Sequence, residues 1–402
     1  MTRMHGRAAV AGLAIVLAFW ASAGARAAVT LSQAVDAAWP LGTVAAEAAG
    51  QARRAQAGQT AASAWWAAPP SVELGTLRNR QAGRGAASET EVGVALSLWL
   101  PGQRAAHQAQ GDAELALATT QAQLARWRLA GTVRDAAAEV ALQRADVAAA
   151  HAQAQELSTL AADVARRVAA GELARADALG ADAERLAAAT ALAQARQRLL
   201  AAERQWAALT GLPEVVDLPV DAPAAASAGH PALAAAAAEV AVARHRLQVA
   251  RASRRDAPEL VLSARHEAAP GEPDVRGVGV ALRVPFGSAS RNEPLLAAAL
   301  SEVELAEAAE RALQRQVQAE QDGARAAETS ARQQWRDEQA RAALLRERAS
   351  LIDKSFRAGE TALPDMLRAL TAATQAEAAA ARARAVFAQA VSRLEQALGA
   401  MP

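Results

Sequence analysis

Two stretches of this chain spell the same turn 188 positions apart, which confines the fold to architectures made of two matching halves. Arg167-Val168-Ala169-Ala170-Gly171-Glu172, followed by Asp177 and Leu179, returns as Ser355-Phe356-Arg357-Ala358-Gly359-Glu360, followed by Asp365 and Leu367. Downstream, Leu209-Thr210-Gly211 falls on Ala397-Leu398-Gly399, and upstream Pro70 falls on Pro258. Val92-Gly93-Val94-Ala95-Leu96 matches Val278-Gly279-Val280-Ala281-Leu282 at an offset of 186. The period is too long for a solenoid unit, so it marks a duplicated half-protein.

Composition says what fills each half. Hydrophobic residues make up 52% of the 402 positions, but aromatics are only 3%, Tyr is absent and alanine supplies most of the apolar count. Alanine favours helix and lets helices approach closely, which suits long packed helices and implies no cofactor pocket. Basic and acidic residues balance at 43 against 42 and interleave along the helical segments, so there is no electrostatic footprint for nucleic acid. Without cysteine there are no disulfides, thiolate metal sites, cysteine nucleophile or lipidated Cys. His107, His151, His230, His245 and His266 show no metal-ligand spacing.

The first 27 residues read as a signal peptide: Arg3, His5 and Arg7 precede an apolar run from Ala8 to Trp20, and Ala25-Arg26-Ala27 fits a cleavage site. No later stretch offers about 20 uncharged apolar residues. If the mature chain crosses a membrane, it does so as strands.

Residues 28–212 form the first repeat. Helical spacing over 28–64, broken at Pro40, gives way to period-two alternation over 71–80 and 91–100, separated by a polar loop, Gln81 to Glu89. A helix is predicted over 103–169 with no proline, about 100 Å long. Gly171 breaks it, and a return helix runs over 174–209. Residues 213–229, with Pro213, Pro219 and Pro223, read as a linker. The second repeat, 230–402, follows the same plan: a helix, strands over 259–267 and 276–286, a long helix over 294–357 and a return helix over 361–398.

Strands of roughly ten residues with one apolar face match the span of an outer-membrane barrel. Four strands cannot close, and open edges in lipid leave backbone groups unpaired, so several copies must share one barrel. Three copies would give twelve strands, a number the pattern alone does not fix. In this reading Leu74, Val94, Leu96, Leu98, Val280, Leu282 and Val284 face lipid, Glu73, Glu259, Arg265 and Arg283 project into a water-filled lumen, and the outward faces carry no charge. Trp65, Trp66, Trp99 and Phe286 flank the strands as an aromatic girdle at the membrane boundary. The fold class is thus mainly α with a transmembrane β-barrel portion, its duplicated halves each contributing helix, strand, strand, helix, helix. A soluble sheet with core Trp residues and an extended coiled coil without a lumen are the bland alternatives.

The duplicated Ala170-Gly171-Glu172 with Asp177 and Leu179, and Ala358-Gly359-Glu360 with Asp365 and Leu367, resemble the helix-turn-helix tips of the TolC-like outer-membrane efflux protein family. The opening Leu31-Ser32-Gln33-Ala34-Val35 and the Leu- and Gly-containing endings of both halves, Leu209-Thr210-Gly211 and Ala397-Leu398-Gly399, extend the resemblance over nearly the whole mature chain. It implies a homotrimeric twelve-stranded barrel in the outer-membrane lipid, continued by a long α-helical barrel into the periplasm. It also implies docking to a periplasmic adaptor (membrane fusion) protein and to an inner-membrane pump of the resistance-nodulation-division type. In that family the periplasmic tips close like an iris, and an acidic pair in the second-half turn narrows the pore. Here Asp365 matches the first acid, but Arg368 stands at the second position, so the two are expected to pair rather than to form a doubly acidic ring. Asp177 matches the turn acid of the first half, and both acids also suit the first turn of a helix.

The short chain and its Arg-Ala-Gly-Glu turn look most like the outer-membrane components of heavy-metal (cobalt-zinc-cadmium type) efflux systems. A passive conduit for heavy-metal cations needs no cofactor, no metal site and no catalytic residues. The rival reading is a periplasmic structural or adaptor protein whose long hairpins span the envelope without forming a channel. No nucleophile, base and orienting group, and no phosphate loop, points to an enzyme.

Overall fold

A computed structural model describes residues 29–81, 85–220 and 229–402. The predicted signal peptide, the tip of the first strand hairpin and part of the linker between repeats lie outside the described residues. No described helix is long and apolar enough to cross a membrane.

Each repeat is a helix, a strand hairpin, a very long helix and a return helix. The first contains α1 (Leu31–Ala38), α2 (Thr43–Ala62), β1 (Ser71–Gln81), β2 (Gly85–Ser97), α3 (Gln103–Ala169) and α4 (Arg175–Thr210). The second contains α5 (Pro231–Ala252), β3 (Glu259–Ala268), β4 (Val275–Arg283), α6 (Ala289–Arg357) and α7 (Leu363–Ala397). Pro40 sits in a 3-10 turn between α1 and α2, where the sequence places the break.

The long helices reach from the sheet to the opposite end of the molecule, about 100 Å each at 1.5 Å per residue. α3 is flanked near the sheet by α2 and α5 and farther away by α4 and α7; α6 packs on α5 and then α7. The shorter helices meet end to end at mid-length. There Trp206, fully buried, packs with Val35, Val133, Val140 and Val216, and its indole N–H donates to the Glu214 carbonyl. The first residues of the predicted linker are therefore packed against this belt. Elsewhere burial is shared among small clusters along the helices, and many of the fully covered side chains are alanine. Small side chains hold a wall one helix thick; they do not fill a globular core.

The four strands form one antiparallel sheet, ordered β1-β2-β3-β4, so the hairpins of the two repeats join edge to edge. An unbroken register places Val72, Val94, Leu262 and Val280 in one row and Leu74, Val92, Ala264 and Val278 in the next. These rows share a face with Leu96, Leu260 and Leu282. The outer strands β1 and β4 each have one unpaired edge.

Several boundaries differ from the sequence expectation, four of them by three residues or more. β2 starts at Gly85, not 91, because Glu89, Ser88 and Ala87 pair with Leu77, Arg78 and Asn79. Residues 85–89, expected as loop, are thus ladder. β2 ends at Ser97 and β4 at Arg283, short of 100 and 286. Both ladders run out at Pro258, which accepts from the Leu98 N–H at 2.7 Å but has no N–H to return. Leu98 and Val284 therefore lie beyond the strands. α6 begins at Ala289, a turn ahead of Pro294, because the Asn292 N–H already closes a turn onto Ser288. Pro294 forfeits only its own bond inside that first stretch.

The expectation of a charge-free outward face is also overturned. Period-two alternation carries Arg78, His266 and Arg276 onto the same face as Leu74 and Val278. They cluster toward the hairpin end, beyond the last apolar row.

Candidate functional site: a two-faced sheet and a pair of helical tips

The sheet presents one apolar and one acidic face. Outward, Val278 is 92% exposed, Val280 74%, Val72 73% and Leu74 71%, a contiguous patch far too apolar to stand in water. On the opposite face, the one expected to line a lumen, the register collects Glu73, Glu259, Arg265 and Arg283, and adds Glu89, Glu91 and Glu267, which lie in segments read as loop or strand end. Arg283 reaches Glu259 at 2.9 Å; Arg265 reaches Glu89 at 2.9 Å and Glu267 at 3.3 Å. Among the described strand residues five carboxylates thus face two guanidiniums, and Glu73 and Glu91 have no ion pair. Between these charges runs a row of small residues, Gly93, Ser263 and Gly279, in which a Cβ on Gly279 would lie 2.9 Å from Ser263 Oγ.

Trp65, Trp66, Trp99 and Phe286 all lie at the helix-proximal end of the sheet, since β1 and β3 start there and β2 and β4 end there. They are not equivalent. Phe286 is 91% exposed and Trp65 85%, whereas Trp99 donates its indole N–H to the Ala64 carbonyl at 3.0 Å and lies against His107. Trp99 ties the strand end to α3.

At the other end both turns have the same construction. Gly171 and Gly359 adopt φ of +83° and +80°. The Glu172 N–H closes onto Arg167 and the Glu360 N–H onto Ser355, which satisfies carbonyls that would otherwise be orphaned at the end of a very long helix. Glu172 and Glu360 are exposed. Asp177 accepts from the Ala174 N–H at 3.2 Å and so caps α4. Asp365 instead pairs with Arg368 in the first turn of α7, and both side chains are more than half exposed. The expected pairing is therefore present within a single chain.

The two tips pack on each other. Val164, Ala181, Phe356, Leu363 and Met366 form a shared cluster, and the Arg167 guanidinium lies 5.0 Å from the Phe356 ring centroid. Above it, Arg346 of α6 pairs with Glu377 of α7 and reaches Glu156 of α3 at 2.9 Å. The hydrogen bonds to Glu377 hold this guanidinium still more firmly protonated than usual. Asp146–Arg382 and Asp135–Arg393 continue the α3–α7 ladder. This ladder, which sequence spacing does not announce, stitches one repeat to the other. An open groove between α3 and α6, lined by Asp163, Arg166, Asp353 and Arg357 among others, runs along it to the tips. No group of His, Asp and Glu suited to a metal ion occurs among the described residues.

No protein-family model and no curated protein matches the sequence. Solved structures do match. The outer membrane protein VceC from Vibrio cholerae superposes with a TM-score of 0.75 over 92% of this chain and 96% of its own, at 17% identity. The Campylobacter jejuni CmeC outer membrane channel gives 0.72 over 92% and 85%, at 14% identity. The open state of the Neisseria gonorrhoeae MtrE outer membrane channel gives 0.69 over 92% and 88%, at 17% identity. The chain therefore has the fold of these outer-membrane channels.

Proposed function

We propose that three copies of this chain form a passive efflux conduit, its sheets closed into one barrel in the outer membrane and its helices continuing as a tube into the periplasm. The observation that carries this reading is the sheet itself: an apolar outward face, an acidic inward face and two unpaired edges. In hydrocarbon an unpaired edge is intolerable, so β4 of one copy must pair with β1 of the next. Two copies would close eight strands, a barrel whose interior side chains fill it; three leave a water-filled lumen. The helical wall supports the same closure, because its edge helices α4 and α6 keep Leu179, Leu305 and Leu344 64%, 73% and 69% exposed. A soluble periplasmic hairpin protein would have no use for that sheet face.

The tips are the end that an adaptor protein and an inner-membrane pump would meet, and the groove between α3 and α6 offers charged side chains for the contact. Cargo is selected by the pump. The excess of carboxylates inside the sheet favours cations, in keeping with the heavy-metal reading, and Asp365 with Arg368 stands where the closed tip narrows. Planar-bilayer recording tests the proposal: purified wild-type chain produces stepwise conductance with a cation preference, and Glu73→Gln with Glu91→Gln shifts the reversal potential toward zero. Absence of any conductance from a water-soluble chain would remove the conduit.

A further inference from the structure

We infer that the charged rim on the outward face of the sheet, built on Arg78 and Arg276, binds the phosphate groups of outer-leaflet lipid. This rests on the membrane placement above. Ascending the outward face, the rows Leu96-Leu260-Leu282, Val72-Val94-Leu262-Val280 and Leu74-Val92-Ala264-Val278 are wholly apolar. The next row is Thr76-Thr90-His266-Arg276, and Arg78 follows one row higher on β1. The change from hydrocarbon-compatible to cationic side chains occurs within one row, as it does where acyl chains end and headgroups begin.

The sign of the charge is what identifies the ligand. On the inward side at the same level the carboxylates Glu89, Glu91 and Glu267 outnumber Arg265. Among the residues whose side chains are described, the charged groups on the outward side are Arg78, Arg276 and one acid, Asp274, whose carboxylate lies 3.6 Å from His266 Nε2. Arg78 and Arg276 are exposed and make no ion pair or hydrogen bond with any described residue. A merely solvated rim would need no such segregation of sign between two faces of one sheet. Guanidinium groups recognise phosphate through paired N–H donors, which a hydrated ammonium does less well.

Topology adds a second element. Arg78 lies on one edge strand and Arg276 on the other, so closure brings Arg276 of one copy and Arg78 of the next to the same seam. Each seam thus holds two unpartnered guanidiniums from different copies. A phosphate bound there would bridge the copies on the lipid side.

The test uses the full-length assembly in detergent, titrated with fluorescent lipid A, with its dephosphorylated form and with inorganic phosphate. The expected result is saturable binding of phosphorylated lipid, weakened at least about tenfold by Arg78→Gln with Arg276→Gln and by removal of the phosphates. Arg78→Lys with Arg276→Lys should retain most of the binding. Equal affinity of the Gln double variant and wild type, or equal affinity for both lipids, overturns the inference, and so does inorganic phosphate binding as tightly as the lipid. Conductance of the same preparations separates this failure from failure of the channel reading: an assembly that conducts but does not discriminate sinks the lipid site alone.

Discussion

At the scale of single residues, the tips depend on two left-handed glycines. A Cβ at Gly171 or Gly359 would meet nothing within 4 Å, so any penalty for substitution is conformational and not steric. Gly171→Ala and Gly359→Ala are each expected to destabilise their tip by about 1 kcal/mol, with Asn in place of Ala costing less. Hydrogen exchange of the tip amides reads this directly; equal protection in both Ala variants would contradict it. His230 gives a second prediction. It is 8% exposed, its Nδ1 accepts from the Ala232 N–H at the start of α5, and its ring meets Trp127 edge-on at 4.9 Å. Close packing holds it there, since a Cβ on Gly399 would lie 3.0 Å from its Cα. Burial pushes its pKa down, with Glu320 pulling weakly the other way. A histidine lowered in the folded state takes up more protons when unfolded, so its contribution is complete above the ordinary value of about 6.5 and is lost as pH falls below it. His107, also lowered by burial, acts in the same sense. Thermal unfolding should therefore occur earlier at acid pH, and His230→Asn, which keeps a capping acceptor that cannot titrate, should flatten that dependence. An unchanged slope would contradict the assignment. The tip glycines were legible because the duplication singles them out. His230 was not, because only the fold brings Trp127 and Gly399 to it.

At the scale of elements, α3 was legible to its ends, because it contains no proline and is followed by a glycine at positive φ, whereas α6 starts ahead of the Pro294 that marked its expected beginning. The strands were legible where large and small or apolar and polar side chains alternate. Between Gly85 and Glu91 both faces carry small or polar side chains, alternation disappears, and the ladder there is visible only through its pairing with β1. That blind spot hid Glu89, while Arg78 and Arg276, each inside a predicted strand, were not read as parts of one rim. The two faces make opposite demands on the same substitution. Val280→Arg, in the middle of the apolar rows, should destabilise the membrane-inserted form by about 2–4 kcal/mol, while arginine at the adjacent inward Ala281 should be tolerated with far less effect. Refolding into lipid vesicles against urea measures both. Comparable penalties at the two positions would mean that the faces are not divided between lipid and water.

At the scale of the whole molecule, the chain joins its two repeats internally and leaves its outer elements open. The α3–α7 ladder and the shared tip cluster join the repeats inside a copy, while β1, β4, α4 and α6 keep free edges. The proposal of several copies rests on four strands that cannot close, and their number on how wide a lumen the inward side chains would leave. The mass of the detergent-solubilised particle, measured by native mass spectrometry on the mature chain, tests this most directly. A particle of three copies that stays intact until heated is the expected result; a water-soluble single copy would contradict it.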